Sequence, residues 1–265
     1  MSDKISILVP TYNRRKFLPL LLHNIKSQDY PHDLLTLVID DDGDESFIAD
    51  EGLDEVRQYL YPIKLLYIKN KKRRNIGTKR NNLIKSCPTK IFCMMDDDDI
   101  YLPTYISYSY KVLKDNKYGC VGSDKDLFDT LLIEGLGCYN NESMITGLTR
   151  PDGTQTCPHY GMSDKNFDIH AIDCGNNKGL IHEASIMASK KWYNGSCKFA
   201  SNSKGEGAKL FNGQDKLVGI TDIRNVMICL QHSGNTVDKM QFARKDNKLE
   251  IKLSDELKEK LKIIL

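Results

Sequence analysis

The chain has 265 residues, of which 38 are lysine or arginine and 36 are aspartate or glutamate, so its formal net charge is +2 at pH 7. A charge this small gives no support to nucleic acid as a partner, because nucleic-acid-binding domains carry a marked excess of basic residues. The length suits one large α/β domain or two small ones, and no apolar stretch approaches the roughly 18 residues that a membrane-spanning helix requires.

Strand-like and helix-like segments alternate through the first part of the chain. The segment 14–27 has its apolar residues at helical spacing, with Pro19 in the early turns, where proline is tolerated. Alternation of this kind predicts a doubly wound α/β fold with a parallel sheet. The predicted strands are 5–9, 34–39, 65–68 and 91–95, and the predicted helices are 14–27, 48–60 and 76–86.

The pattern changes after residue 100. The sequence predicts a helix at 103–115 and a strand at 118–122, whereas the segment 131–180 is rich in Gly, Asn, Asp and Thr and has little periodicity. So long an irregular segment predicts a functional lid or a binding surface. The last segments predicted to be ordered are 184–188, 190–193, the strand 226–230 and the helix 254–265.

The carboxyl-terminal helix places Leu257, Leu261 and Ile264 on one face. We expect this face to dock on the helix's own domain. A contact between copies in an oligomer, or a contact with a membrane surface, is the alternative.

Two of the predicted strands end in acidic residues: aspartates occupy 96–99 after the strand 91–95, and 40–42 after the strand 34–39. Ligands of parallel α/β sheets bind beyond the carboxyl ends of the strands. Adjacent carboxylates repel one another unless a cation compensates them, and Mg²⁺ and Mn²⁺ prefer carboxylate oxygens. The pattern predicts a site for a divalent cation shared with a phosphate. An exposed acidic loop or a helix N-terminus is the alternative.

Other catalytic motifs are absent or incomplete. Neither G-x-x-x-x-G-K-[ST] nor G-x-G-x-x-G occurs in the sequence. His182-Glu183 matches part of a zinc-protease motif but lacks the second histidine, so we assign it no role. The basic run 69–74 is interpreted as a solvated loop, with a wall facing a phosphate as the alternative.

The eight cysteines are scattered without a C-x-x-C pair. This spacing argues against a zinc site or a disulfide framework and favours a reducing compartment. The sequence after Met1 enters a strand-like run without the features of a signal peptide. We therefore expect a soluble, cytoplasmic protein without a transmembrane segment.

Four segments, taken in order, resemble the inverting family 2 glycosyltransferases of the GT-A fold. They are 7–14, the strand and Asp-Asp-Gly segment 38–43, the helix start 77–81, and 95–103 with its Asp-x-Asp motif and following proline. The resemblance implies an α/β fold with a mostly parallel central sheet flanked by helices. It also implies a single domain over 1–265, with a nucleotide-sugar-binding half (1–125), an acceptor-binding and catalytic half (126–250) and a carboxyl-terminal helix (254–265).

The resemblance assigns a nucleotide-binding role to residues in the first half. The turn after the first strand would face the base and ribose, and a carboxylate after the second strand would accept the imide N–H of uracil. The arginine of the helix start would approach the nucleotide, and the first carboxylates of the Asp-x-Asp segment would contact the ribose. These roles fall on Pro10, Thr11 and Tyr12, on Asp40 or Asp41, on Arg80, and on Asp96 or Asp97.

The resemblance also implies a metal site and a general base. Asp98 would bind the metal, and His232 after the strand 226–230 would complete the site and favour Mn²⁺ over Mg²⁺; a hydrogen-bonded structural histidine is the alternative. Gly205-Glu206 lies where the family usually has Gly-Glu-Asp, so Glu206 is predicted to be the base, with a surface glutamate as the alternative. The usual aspartate is Gly207 here.

The expected activity is metal-dependent, inverting transfer of a sugar from a UDP-sugar, UDP-glucose first among the donors, to a hydroxyl acceptor. Glycan, protein, lipid and small-molecule acceptors all fit. Two other classes remain open. One is a metal-dependent nucleotidyltransferase or phosphotransferase, and the other is a non-catalytic nucleotide-sugar-binding protein, which the glycine at 207 favours.

Overall fold

A computed structural model describes most of the first half of the chain and parts of the second. It gives residues 2–115, 183–195, 198–207, 210, 225–232 and 253–264, and the backbone of short strands elsewhere. The described strands are β1 (Ile5–Thr11), β2 (Leu35–Asp41), β3 (Lys64–Lys69), β4 (Ile91–Met94), β5 (Ile100–Tyr101), β6 (Leu131–Glu134), β7 (Pro158–Ser163), β8 (Asp168–Asp173), β9 (Met187–Ser189), β10 (Val218–Thr221), β11 (Met227–Gln231) and β12 (Lys248–Leu249). The described α-helices are α1 (Leu18–Lys26), α2 (Leu53–Leu60), α3 (Ile76–Ser86), α4 (Tyr105–Asp115), α5 (Lys190–Gly195) and α6 (Asp255–Ile264).

The central sheet is mostly parallel, as the alternation of strands and helices predicts. Within the described ranges its strand order is β10-β6-β9-β4-β1-β2-β3. Strand β1 pairs in parallel with β2 and β4, and β2 pairs in parallel with β3. Strand β9 runs antiparallel between β4 and β6. The carboxyl ends of β1, β2 and β4 therefore lie side by side at one edge of the sheet.

The central strands are buried on both faces, which explains their nearly continuous apolar sequences. Ile5, Ile7 and Val9 belong to one hydrophobic cluster, in which α1 and α6 also take part. Leu8, between them, packs in a second cluster with Leu83 of α3 on the opposite face. Alternate residues of β1 thus serve two different cores, because side chains along a strand point to opposite faces.

The predicted helices are confirmed, with small changes at their ends. The helix predicted at 14–27 begins as a short 3₁₀ turn at Arg15–Phe17 and continues as α1, with Pro19 in the first turn, where no backbone N–H is needed. Helix α3 begins after Asn75, whose side chain accepts a hydrogen bond from the Thr78 amide at 2.9 Å. The strand predicted at 118–122 lies outside the described residues.

The prediction that 131–180 lacks regular structure is wrong. Strands β6, β7 and β8 lie within it. Strand β6 joins the central sheet, while β7 and β8 belong to a second sheet of the order β12-β8-β7-β11-β5 within the described ranges. The sequence His159-Tyr160-Gly161 in β7 does not alternate between apolar and polar residues, so the strand follows from pairing with β8 and β11 rather than from a local pattern.

Helix α6 docks on α1, as predicted. Leu257, Leu261 and Ile264 are all buried. The Lys16 ammonium donates to the Ile264 carbonyl at 3.0 Å, a contact near the negative end of the helix dipole. Within the described part of the chain, no helix has the length and apolar character needed to cross a bilayer.

Replacing Asn24 by alanine is expected to destabilise the fold. This buried side chain of α1 donates to the Asp99 carbonyl at 2.8 Å and accepts from the Tyr101 amide at 3.1 Å. Asn24→Ala leaves both buried backbone groups unpaired, so we expect the free energy of unfolding to fall by about 2–4 kcal/mol in urea titrations. Gln58→Ala, at an exposed position of α2, is the control and should change it by less than about 0.5 kcal/mol. Equal effects of the two substitutions would contradict this role.

Candidate active site

The acidic residues after β2 and β4 meet at the carboxyl edge of the central sheet. In the parallel register, Pro10 is paired with Asp40 and Thr11 with Asp41. The Thr11 hydroxyl donates to an Asp97 carboxylate oxygen at 2.5 Å, which joins the end of β1 to the aspartates that follow β4. Segments that are separated in the sequence therefore form one site, where parallel α/β folds bind their ligands.

The four consecutive aspartates point to four different sets of partners. Asp97, Asp98 and Asp99 are buried, so the alternative of an exposed acidic loop is wrong. Their contacts are Asp96 with Arg80, Asp97 with Thr11 and Arg14, Asp98 with Arg14 and His232, and Asp99 with the Leu230 amide at 2.9 Å.

Arg14 forms ion pairs with two of these aspartates. Its guanidinium lies 3.1 Å from Asp97 and also contacts Asp98. Burial raises the pKa of Asp97, and the charge of Arg14 only partly opposes this effect. Burial acts in the same direction on Asp98, but the hydrogen bond with His232 and the charge of Arg14 outweigh it and lower the pKa of that carboxyl. Asp98 is thus held as a carboxylate, the form that a metal ion requires.

His232, predicted from the sequence as a metal ligand, lies beside Asp98. Its Nε2 is 3.0 Å from Asp98 Oδ2, and its ring packs against Phe17 with 4.7 Å between ring centroids. The end of β11 brings the histidine to this edge of the sheet. The structure therefore unites the two predicted metal ligands, Asp98 and His232.

The acidic cluster fits a divalent cation. One carboxylate oxygen from each of Asp96, Asp98 and Asp99 lies within 4.8 Å of the others. Oxygen donors of this kind suit Mg²⁺ and Mn²⁺, and the neighbouring imidazole of His232 adds a ligand that Mn²⁺ accepts. All three carboxylates also accept hydrogen bonds from the protein: Asp96 from Arg80, Asp98 from Arg14, and Asp99 from the Leu230 amide.

The two aspartates considered for uracil recognition have different surroundings. Asp41 accepts hydrogen bonds from the Gly43 amide at 2.9 Å, the Phe47 amide at 2.8 Å and the Tyr67 hydroxyl at 2.5 Å. Asp41 therefore shapes the turn after β2. Asp40 accepts through Oδ1 alone, from Asn70 at 2.8 Å and Arg74 at 2.5 Å. Burial raises the pKa of Asp40, against the opposing charge of Arg74.

Two cations of this site were missed by the sequence analysis. Arg74 was included in a run interpreted as a solvated loop, but it pairs with Asp40 and lies 3.5 Å from Asp42. Lys79 is buried, pairs with Asp42 and donates to the Thr11 carbonyl. Burial lowers the pKa of Lys79, although its hydrogen bond with Asp42 opposes this. The sequence signal available for Lys79 was its position in the helix start 77–81, two residues after Gly77.

Tyr12 and Pro10, also predicted to face the nucleotide, flank the same edge. Pro10 is buried within β1. Tyr12 is partly exposed, and the Arg73 guanidinium lies 4.2 Å from the centre of its ring. This stacked pair forms an open aromatic and cationic surface beside the acidic residues.

Arg80 joins the aspartates to the predicted general base. Its Nη2 donates to both oxygens of Asp96, at 3.0 and 3.2 Å, and its Nε lies 3.3 Å from Glu206 Oε1. Burial alone would lower the pKa of Arg80, but the charges of Asp96 and Glu206 outweigh it and raise the pKa. No described residue accepts a hydrogen bond from Nη1. Glu206 is buried, so the alternative of a surface glutamate is wrong.

Glu183, to which the sequence assigned no role, lies next to the ion pair of Arg80 with Glu206. It begins a 3₁₀ turn at Glu183–Ser185, and its Oε1 accepts from the Gly207 amide at 3.0 Å. Burial and the nearby charge of Glu206 raise the pKa of Glu183. The site therefore contains a second carboxyl group beside Glu206, and the sequence alone could not reveal it because the two are far apart in the chain.

The sheet order and the acidic edge define a GT-A fold, and solved glycosyltransferases share it. S. aureus TarS in complex with UDP-GlcNAc aligns with a TM-score of 0.54 at 15% identity, over 98% of this chain and 65% of that chain. The mannosyltransferase PcManGT from Pyrobaculum calidifontis, in complex with GDP-Man and Mn²⁺, aligns with a TM-score of 0.54 at 14% identity, over 87% of this chain and 57% of that chain.

The amino-terminal part of the chain matches a known sequence family. Residues 6–130 match the model of glycosyl transferase family 2. An uncharacterized glycosyltransferase of Rickettsia felis is 23% identical over 191 residues, which are 71% of this chain and 27% of the relative. One of Methanocaldococcus jannaschii is 25% identical over 114 residues, which are 43% of this chain and 38% of the relative. The chain thus matches about a quarter to two fifths of the length of these relatives.

Gly77→Ala is expected to disturb the packing of α3 against the segment that carries Glu206. A Cβ at Gly77 would lie 1.8 Å from the Ala200 carbonyl oxygen and 3.1 Å from the Glu206 Cβ. We expect a loss of about 2–3 kcal/mol in the free energy of unfolding. Gly52→Ala is the matched control, since nothing lies within 4 Å of its added Cβ. A Gly77 variant as stable as the Gly52 variant would contradict the close packing.

Proposed function

We propose that the chain is a metal-dependent, inverting glycosyltransferase that moves a sugar from a UDP-sugar to a hydroxyl acceptor. The observation that carries the proposal is the cluster of Asp96, Asp98 and Asp99 at the carboxyl edge of a GT-A sheet, with His232 beside Asp98. A nucleoside diphosphate needs a compensating cation, and this cluster offers the donor atoms for one.

Asp40 is proposed to accept the uracil imide N–H. Its Oδ2 has no hydrogen-bond partner among the described residues, whereas both oxygens of Asp41 are engaged. Asp97 with Thr11 is proposed to line the ribose. The remaining residues proposed to face the nucleotide are Pro10, Tyr12 and Arg80, whose Nη1 is available to donate.

Asp98, His232 and Asp96 are the residues proposed to hold Mn²⁺ or Mg²⁺. The bound cation would act as a Lewis acid and stabilise the charge on the departing diphosphate. The imidazole favours Mn²⁺, and PcManGT was solved with that ion. Arg14 contributes a fixed positive charge beside Asp97 and Asp98.

Inversion requires a carboxylate that takes the proton of the acceptor hydroxyl as its oxygen attacks the anomeric carbon. The sequence predicts Glu206 for this role, and Glu206 lies at the Arg80 end of the site, where Glu183 supplies a second carboxyl group. The acceptor is proposed to approach from the half of the chain at 126–250.

The donor is proposed to be a UDP-sugar, with UDP-glucose as the first expectation from the sequence. The fold neighbours differ here, because TarS was solved with UDP-GlcNAc and PcManGT with GDP-Man. A donor panel should therefore contain UDP-glucose, UDP-galactose, UDP-GlcNAc and GDP-mannose.

The non-catalytic alternative keeps one specific observation, the glycine at 207 where the family usually has an aspartate. It predicts UDP binding without turnover of any donor.

A reducing, cytoplasmic location is proposed because the cysteines are scattered in the sequence. Cys87 and Cys93 are buried and form no disulfide.

Asp98→Asn is expected to remove the metal dependence of the activity. The substitution keeps the shape of the side chain but takes away the negative charge that a divalent cation requires, so we expect Mn²⁺ affinity to fall at least about 10-fold. Electron paramagnetic resonance of Mn²⁺ measures the affinity, and UDP release from the donor panel, with Mn²⁺, Mg²⁺ or EDTA, measures the activity. Asp54→Asn, on the exposed side of α2, is the control. Unchanged Mn²⁺ affinity in the Asp98 variant would exclude this site.

Asp40→Asn is expected to change base selectivity. An asparagine amide can donate to cytosine, which lacks the imide N–H of uracil, so the ratio of UDP to CDP affinity should fall about 10-fold or more in calorimetry. Asp41→Asn provides the contrast. It should lower stability because Asp41 holds two backbone amides, and it should leave the UDP to CDP ratio unchanged. The opposite pattern would give base recognition to Asp41.

A further inference from the structure

The segment predicted to carry the general base has a glycine where the family resemblance places a carboxylate. Gly205-Glu206-Gly207 stands in place of Gly-Glu-Asp. The Glu206 carboxylate faces Arg80, with 3.3 Å between Oε1 and Nε. Because Arg80 also binds Asp96, the pair with Glu206 fixes the arginine beside the proposed donor site. This leaves open which group takes the acceptor proton.

The side chain of Glu183 occupies the space that a side chain at 207 would fill. A Cβ built on Gly207 would lie 2.6 Å from Glu183 Cγ, 2.7 Å from its Oε1 and 3.0 Å from its Cδ. The Gly207 amide donates to the same Oε1 at 3.0 Å. The carboxyl group therefore reaches this position from another segment of the chain, and only a glycine at 207 leaves room for it.

The turn that carries Glu183 is firmly attached to the aspartate segment. The Tyr101 hydroxyl donates to the Ala184 carbonyl at 2.9 Å and accepts from the Asp96 amide at 2.7 Å. Beyond the turn, β9 pairs with β4, and the Met94 amide donates to the Ile186 carbonyl at 2.8 Å. Glu183 is thus positioned by the same strand that ends in the proposed metal ligands.

The charges around Glu183 suit a proton acceptor. Burial raises its pKa, the negative charge of Glu206 adds to this effect, and Arg80 opposes it. A carboxyl group whose pKa is raised towards neutrality is a more effective base than an ordinary one. The Gly207 amide donates to the Glu183 carboxylate, and the backbone amide of Glu183 donates to it as well.

We propose that Glu183 is the catalytic base and that Glu206 positions Arg80. The inference rests on the proposed function. An oxygen of the Glu183 carboxylate takes the proton from the acceptor hydroxyl while that hydroxyl oxygen forms a bond to the anomeric carbon. The bond from the anomeric carbon to the phosphate oxygen breaks, and its electron pair leaves with UDP. Glu183 ends the step protonated.

Glu183→Gln tests the role with little change in shape. We expect kcat for UDP release from the donor that the panel identifies to fall at least about 100-fold, the usual contribution of a general base. The Kd for UDP should stay within about 2-fold. The wild-type kcat/KM should fall as pH decreases, because Glu183 becomes protonated. The residual activity of the variant should not show this decrease. A purely structural role would instead move Kd or stability and leave the shape of the pH profile unchanged.

Moving the carboxylate from position 183 to position 207 provides a sharper test. Glu183→Ala removes the carboxylate, and Gly207→Asp alone forces a side chain into the space that Glu183 fills, so each single variant should be impaired. The double variant Glu183→Ala/Gly207→Asp should recover at least about 10-fold over Glu183→Ala, since it returns a carboxylate to the same place. Gly195→Asp, at an exposed glycine with open space around its Cβ, is the control and should not restore the Glu183→Ala variant.

Three outcomes would overturn the assignment. Full activity of Glu183→Gln with loss of activity in Glu206→Gln would return the base to Glu206. Loss of UDP binding in Glu183→Gln, with no recovery in the double variant, would make Glu183 a structural residue. A wild-type chain that binds UDP and turns over no donor would overturn both the base and the proposed activity, whereas failure confined to the Glu183 variants leaves the proposed activity intact.

Discussion

The site depends on a balance of charge at one edge of the sheet. Parallel strands bring the acidic residues after β2 and β4 together, and each buried carboxylate would cost several kcal/mol without a compensating cation. The described residues include three arginines that each contact two carboxylates. Arg14 contacts Asp97 and Asp98, Arg74 contacts Asp40 and Asp42, and Arg80 contacts Asp96 and Glu206.

This pattern explains how so many acids share a small space. The planar guanidinium has donors on several sides, so one arginine satisfies two carboxylates from different segments, which a lysine does less well. The arginines come from the turn after β1, the loop before α3 and α3 itself. They therefore fix these elements to one another as well as compensating charge. The acids at this edge still outnumber the cations, a charge balance that a bound divalent cation would complete.

Much of this arrangement could be predicted from local sequence. The helix at 76–86 was predicted with its observed ends, and the aspartates after β4 were correctly placed at a strand end. Local signals failed where contacts between distant segments decide the structure. Strand β7 lacks an alternating pattern and pairs with β8 and β11. Asp40 and Asp41 are adjacent aspartates that the sequence cannot tell apart. In the structure they differ because Asp41 accepts hydrogen bonds from the Gly43 and Phe47 amides.

The sequence did not predict the role of Arg74 for the same reason. A run of basic residues suggests solvent exposure, but the parallel register of β2 and β3 places the loop after β3 beside Asp40. Glu183 carried no signal at all, because its neighbour Gly207 is 24 residues away in the sequence. In both cases the informative quantity is a three-dimensional distance that periodicity and motifs do not encode.

The Tyr101 hydroxyl has a consequence for cooperativity. Its two hydrogen bonds link the Asp96 amide to the Ala184 carbonyl, so displacement of the Tyr101 side chain would leave both backbone groups without this partner. The same hydroxyl therefore couples the aspartate turn to the Glu183 turn. We expect a ligand that orders the first turn to reduce the fluctuations of the second without any contact of its own there.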